Sequence, residues 1–327
     1  NRCEKMIKNT LLIRQVVEKM GGTFEEVIPE RSCYYIHVRG KNFLITRKFR
    51  IAKNFISITG ATAYKDLTYT LLKRQSLPTP TTVFFFRKNF VQGDVEKKLS
   101  NIKFPIIIKD SAGSNSRGIF PYIKNLEEAQ AVINKEILNF RSLIAQEMIF
   151  GKEYRVLILD NKVIGALEMI PPRITGDGKS TVAQLIAEKQ KHTRRKTPLD
   201  QALERILHEQ GFSLDSILDT GEIASIKKSS SLAEGGETQD ATKLVNKEIS
   251  TICAKAADAV GYYLAGIDII CEDISKDPAT QTFGILEING KPDIYIHYNP
   301  THGKSRNVIK DIINFILKLN TTVSDSE

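Results

Sequence analysis

The chain has 327 residues, 41% hydrophobic and 26% charged, a mixture that can bury a substantial core and excludes a largely disordered polymer. Its net charge of +9 and pI of about 9.2 suit anionic partners (nucleotides, carboxylates, nucleic acid or a membrane surface) without choosing among them. No apolar run is long enough to cross a bilayer and no signal-peptide pattern is present, so a cytoplasmic protein is expected.

Apolar residues at helical spacing predict a helix over 5–20, stopped by Gly21-Gly22. Two strands follow over 32–38 and 42–47, around an Arg39-Gly40-Lys41 turn. A helix over 62–76 ends at Leu77-Pro78-Thr79-Pro80, the expected boundary of a small N-terminal lobe, 1–78. Phe104–Lys109 is a short apolar strand, followed by a glycine-bearing loop and a helix over 126–138. Strands are predicted over Ser142–Met148, Glu153–Leu159 and Lys162–Ile170, with an Asp160-Asn161 hairpin turn between the last two. Helices follow near 181–190, 200–210 and 243–261, then strong strands over Leu264–Cys271 and Thr282–Ile288. An amphipathic helix over 306–319 precedes a polar tail, 320–327, expected to fray. Strand pairs interrupted by helices without strict alternation indicate an α+β arrangement rather than a doubly wound sheet.

Cys3, Cys33, Cys253 and Cys271 form no CxxC and no zinc spacing; Cys253 and Cys271, in apolar contexts, read as buried thiols. The basic run Lys189, Lys191, His192, Arg194, Arg195 and Lys196 lacks interleaved aromatics and reads as a solvated helix end rather than a nucleic-acid patch.

Five segments carry candidate chemistry. In FPIIIKDSAGSNSRGI (104–119), Lys109 ends a buried strand before a loop whose backbone N–H groups can turn toward phosphate, although the loop lacks the GK[ST] ending of a Walker A sequence. In AQEMIFGKEYRVLIL, Glu147 and Glu153 flank Gly151 and suit hydroxyls or amines, or are plain turn glutamates. GIDII and ILEING place Asp268, Glu287 and Asn289 in apolar strands, with Glu287 and Asn289 on one face. Buried carboxylates need a cation, and two of them with an amide oxygen make a hard-oxygen magnesium site. In PPRITGDGKSTVAQLI, Ser180-Thr181 caps a helix and Arg173 is a candidate for a substrate carboxylate. The loop IKKSSSLAEGGETQD combines lysines, serines and Gly235-Gly236, as an anion clamp or a flexible surface loop would.

In this order, these segments resemble the ATP-grasp superfamily. They are more closely similar to the ATP-grasp region of cyanophycin synthetases and bifunctional glutathione synthetases, from about residue 10 to about 320. YKDLTYTLLKRQSLPTP, EYRVLILDNKVIGALEMIPPRITGDGKSTVAQLI, EQGFSLDSILDTGEIASIKKSSSLAEGG, DII…ILEING and IHYNP carry the likeness. It implies an α+β ATP-grasp fold holding a nucleotide between two lobes over 79–320, the first roughly 79–150. It also implies a free-standing, ADP-forming ligase that joins a carboxylate to an amine through an acyl-phosphate, using ATP and Mg²⁺ or Mn²⁺. Lys65 and Lys109 would contact phosphates, Glu147 and Met148 the adenine, and Glu153 the ribose. Residues 110–119, with Ser114 and Gly118, would be the mobile loop over ATP, and Asp268, Glu287 and Asn289 the metal ligands. Arg155 and Lys227 would face the phosphates or acyl-phosphate. Arg155, Arg173, Lys227 and Arg306 would read carboxylates of amino-acid or short-peptide substrates, in a dimer or tetramer. Within the loop, Asp110, Ala112, Ser114 and Ser116 depart from the family pattern, and Lys227 stands where arginine is usual. A phosphotransferase or a nucleotide-binding module without turnover is the alternative. His297 is expected to be structural.

Overall fold

A computed structural model describes residues 2–28, 33–46, 51, 62, 64–111, 118–191, 193 and 196–319. The chain forms two compact units, each assembled from separated stretches: Lys48–Ala166 with Thr242–Asp293, and Asn1–Arg47 with Leu167–Ala241 and Ile294–Glu327. In chain order the elements run α1 (Arg2–Lys19), β1 (Thr23–Ile28), β2 (Cys33–Val38), β3 (Lys41–Thr46), α2 (Lys65–Arg74), β4 (Thr82–Phe86), α3 (Asp94–Leu99), β5 (Ile106–Asp110) and β6 (Ile119–Ile123). They continue with α4 (Leu126–Glu136), β7 (Ser142–Glu147), β8 (Lys152–Leu159), β9 (Lys162–Ile170), β10 (Arg173–Thr175), α5 (Val182–Gln190), α6 (Gln201–His208), β11 (Ile223–Ser225) and β12 (Glu237–Asp240). The last are α7 (Lys247–Ala259), β13 (Leu264–Cys271), β14 (Phe283–Asn289), α8 (Tyr295–Tyr298) and α9 (Val308–Leu319).

The first unit holds two antiparallel sheets. One has the order β4-β7-β5-β6. Strand alternation divides its side chains: Phe85, Ile106, Ile108, Leu143 and Ala145 face a core completed by Val95 and Leu99 of α3 and Ala129 and Ile133 of α4. Their neighbours Thr82, Lys109, Ile144 and Gln146 share the other face. The second sheet is centred on β13, which is buried along its whole length and pairs with β8 on one side and β14 on the other. Helix α7 packs on β8 and β13. The turn joining β8 to β9 has positive φ at both Asp160 (48°) and Asn161 (61°), the two-residue geometry that matches strand twist and that short polar residues tolerate.

In the second unit, Leu12, Ile13, Val16 and Val17 form one face of α1, which packs on β1, β2 and α9. A separate core joins Ile174, Val182, Ile186, Leu203, Leu207 and Leu218 beneath α5 and α6. Thr181 caps α5, as the sequence predicts, and the structure adds a reciprocal box with Gln184. The helix expected over 243–261 starts later, at Lys247, because Asn246 accepts the Glu248 N–H (2.8 Å) and ends the preceding turn. Among the described residues no helix is long and apolar enough to cross a membrane. Cys253 and Cys271 are buried thiols, and neither is in a disulfide. The expected fraying of 320–327 and the residues His192, Arg194 and Arg195 of the basic run lie outside the described residues.

Ile133 is fully buried between α4 and the sheet. Ile133→Ala should lower unfolding free energy by about 2–5 kcal/mol in denaturant titration, with an unchanged m-value.

Candidate functional site

Register places three charged side chains in one row across three strands of the first unit. Asp268 on β13 faces Arg155 on β8 and Glu287 on β14, while Gly266 faces Asn289. Antiparallel partners share a face, so Arg155, Asp268, Glu287 and Asn289 present to one side and Val156, Ile267, Ile269 and Ile288 to the core. An irregularity in β14 makes this possible. Glu287 pairs with Asp268 and Ile285 with Ile269, leaving Leu286 as an extra residue. The bulge reverses side-chain parity, so Ile285 joins the core while Glu287 remains in the row.

The row is neutralised internally. The Arg155 guanidinium donates from Nε to Asp268 Oδ1 and from Nη2 to Oδ2 (2.7 Å), a two-point fork. Asn289 Nδ2 donates to Asp268 Oδ2 (3.2 Å), which leaves its amide oxygen directed elsewhere. Lys65 Nζ, at the start of α2, lies 3.3 Å from Glu287 Oε1. Burial pushes the Asp268 carboxyl up to about 6 against the charge and hydrogen bonds of Arg155, with Glu287 and Glu153 adding repulsion. Room for the guanidinium stem comes from Gly266, where a Cβ would sit 3.1 Å from Arg155 Cδ and 3.1 Å from Pro292 Cβ.

Lys109 is held by groups the sequence reading did not identify. Its Nζ donates to Gln146 Oε1 (2.8 Å) and Tyr69 OH (3.3 Å) and lies 5.4 Å from the Tyr69 ring centroid. Gln146 is fixed in turn by donating to Thr82 Oγ1 (2.9 Å), and Tyr69 donates to the carbonyl of the bulged Leu286. Burial pushes the Lys109 ammonium down to about 8, with Glu287 opposing. Helix α2 is anchored beside this strand by the Lys65 N–H donating to Ser111 O (3.0 Å). Tyr69 lies one helical turn beyond Lys65, a spacing that says only that they share a face. Gln146 precedes Glu147, and the strand pattern alone marks it as the residue on the Lys109 face.

The other expected residues are placed as follows. Glu147 Oε1 accepts the Lys103 N–H (2.8 Å), and the Met148 sulfur accepts the Tyr122 N–H (3.3 Å). Glu153 shares the Arg155 face of β8, opposite Ile270. Gly118 has φ 65°, and its carbonyl accepts the Asp110 N–H (2.9 Å), closing the loop whose residues 112–117, with Ser114, lie outside the described residues. Arg173 and Lys227 belong to the second unit. There Arg173 and Lys189 both reach Glu237 (3.0 Å each), His302 Nε2 meets the same carboxylate at 3.0 Å, and Lys227 pairs with Glu234 (3.1 Å). Glu237 is lowered to about 2: burial works against its charge, but the His302, Lys189 and Arg173 contacts outweigh it. Arg306 forks onto Asp240 (3.0 and 2.5 Å). His297 is fully buried in α8.

Residues 62–183 match the RimK-like ATP-grasp domain. The chain is 29% identical over 272 residues to cyanophycin synthetase of Synechocystis sp., covering 79% of this chain and 30% of that protein. It is 30% identical over 222 residues to the bifunctional glutathione biosynthesis protein of Clostridium perfringens, covering 64% and 28% respectively. The crystal structure of a bifunctional glutathione synthetase from Pasteurella multocida superposes with a TM-score of 0.70 over 94% of this chain and 43% of that one, at 20% identity. The chain thus spans less than a third of the length of these two curated relatives.

The fork between Arg155 and Asp268 is mostly buried, and removing one partner strands the other. Arg155→Met should cost about 3–5 kcal/mol in thermal or chemical unfolding, and Arg155→Met with Asp268→Leu should recover most of it.

Proposed function

From a chain that carries a RimK-like ATP-grasp domain over residues 62–183 and has the ATP-grasp fold, we propose a cytoplasmic ATP-dependent carboxylate–amine ligase that forms an amide through an acyl-phosphate. The observation that carries this reading is the single row of Arg155, Asp268, Glu287 and Asn289, with Lys65 on Glu287 and Lys109 on the neighbouring sheet.

The donor set fits a hard divalent cation: two carboxylates and an amide oxygen, with no sulfur or imidazole, in adjacent register positions. The two cations now facing these carboxylates, Arg155 and Lys65, have the sign of charge that Mg²⁺ or Mn²⁺ would bring. Asp268, Glu287 and Asn289 would hold that ion, which supplies charge neutralisation at the phosphates. Lys65 and Lys109 would hold phosphate oxygens, and Glu153 and the Glu147–Met148 segment the nucleoside. The substrate carboxylate oxygen attacks the γ-phosphorus and the bond to ADP breaks, giving an acyl-phosphate. The amine then attacks the acyl carbon, phosphate leaves and the amine proton passes to solvent. Positioned cations are the main assistance available to such a transfer, because charge spreads over the moving phosphoryl oxygens. Arg155 would hold Asp268 in place and face the phosphates, while Arg173 and Lys227 would exchange Glu237 and Glu234 for anionic groups of the substrate. Amino acids and short peptides are the proposed substrates, taken up by a homo-oligomer.

The deciding experiment supplies ATP, Mg²⁺ and pools of amino acids and dipeptides and follows ADP and product mass. Amino-acid-dependent ADP with a product equal to two substrates less water is the expected result, and Glu287→Gln and Asn289→Ala should each reduce it on the order of a hundredfold. A stable phosphorylated product would replace the ligase with a phosphotransferase.

Lys109 generates a pH prediction. Its charge is present below about 8 and is lost above it, so ATP affinity should fall as pH rises through that value. Lys109→Met should bind ATP weakly and without this pH-dependent step in calorimetric titration.

A further inference from the structure

Bordered by Tyr69 and Thr82, two residues of the Lys109 network, the first unit contains a cavity of about 850 Å³. This is the size range of small-molecule sites. Lys73 and Arg74 border it, Thr70 and Thr79 contribute hydroxyls, and Leu77 and Phe84 contribute apolar surface; no carboxylate is found among the described residues that line it. Lys73 and Arg74 occupy the last turn of α2, where cations complement the helix dipole. That accounts for their sign but not for the cavity beside them.

Two of its lining residues, Tyr69 and Thr82, are the ones that fix the Lys109 scaffold. Thr82 Oγ1 accepts from Gln146, which accepts from Lys109, and Tyr69 donates to Leu286 next to Glu287. A further wall residue, Pro78, accepts the Ile285 N–H through its carbonyl (2.9 Å). Any ligand that moves this wall therefore moves the supports of both Lys109 and β14.

We propose that this cavity is a binding site for a small organic anion, its phosphate or carboxylate held by Lys73 and Arg74 and its apolar part against Leu77 and Phe84, and that its occupancy alters nucleotide affinity. The second half rests on the ATP reading above; the first does not. Phenyl phosphate and benzoate serve as probes of the two anion types, titrated calorimetrically into the full chain. One molecule of at least one probe should bind per chain. Lys73→Ala with Arg74→Ala, at exposed positions outside the nucleotide machinery, should weaken that binding at least about tenfold, the loss expected when two charge-assisted contacts are removed. Binding should persist in Lys109→Met protein. With the probe saturating, the ATP dissociation constant should change by about fivefold or more in the wild type and stay constant in the double variant. Absence of binding by either probe up to about 10 mM, binding unaffected by the double variant, or binding lost in Lys109→Met overturns the site. An unchanged ATP affinity with the site filled overturns the coupling.

Discussion

The guanidinium fork between Arg155 and Asp268 is the interaction on which the rest of the site depends. A carboxylate in the centre of a fully buried strand is costly unless an opposite charge meets it with good geometry. Arg155 provides this from the adjacent strand, in register, and Gly266 leaves the space its stem requires. Once Asp268 is held, Glu287 lies next to it across β13 and β14 and Lys65 comes in from α2. The two carboxylates stand side by side with a cation on each flank, Arg155 on Asp268 and Lys65 on Glu287, so each has an opposite charge at hand before any ligand arrives. This preorganises the oxygens without leaving bare negative charge in the interior.

A second level of organisation supports the first. Lys109 is positioned by a neutral amide, a phenol and an aromatic face, none of which competes for it as strongly as a carboxylate would. The network Lys109–Gln146–Thr82 is confined to the face of its sheet opposite the apolar core, so polar and apolar requirements are separated by strand alternation alone. In the second unit the logic is inverted: Glu237 is an anion among Arg173, Lys189 and His302, and cations outnumber it.

Much of this was legible in the residues. Strong apolar strands such as Leu264–Cys271 and the Asp160-Asn161 turn follow from local chemistry, and the α+β class follows from their order. Asp268, Glu287 and Asn289 announced themselves as polar groups inside apolar strands. Short strands such as β10, β11 and β12 were missed because three or four residues carry too little periodicity to register. The partner of Asp268 was not assigned because Arg155 lies 113 residues away and only strand register brings them together. Gln146 and Tyr69 were passed over for a similar reason: an amide and a phenol inside regular elements look like ordinary packing until Lys109 is placed against them. Units built from separated stretches are likewise invisible to a reading along the chain, because contacts rather than neighbours define them.

The extra residue at Leu286 gives β14 two phases. Before it, the inward beat of the strand falls on Ile285; after it, on Ile288, with Glu287 and Asn289 sounding on the opposite side. The strand thereby answers to two masters, an oily interior and a charged surface, whose demands are out of step by one position. Single-residue insertions and deletions are thus not equivalent along β14. A loss at 286 would leave Ile285 opposite Ile269 and Glu287 opposite Asp268 in an unbroken alternation, whereas a loss at a neighbouring paired position would turn one part of the strand over, so it is the paired positions of this strand, not its extra one, whose number is constrained.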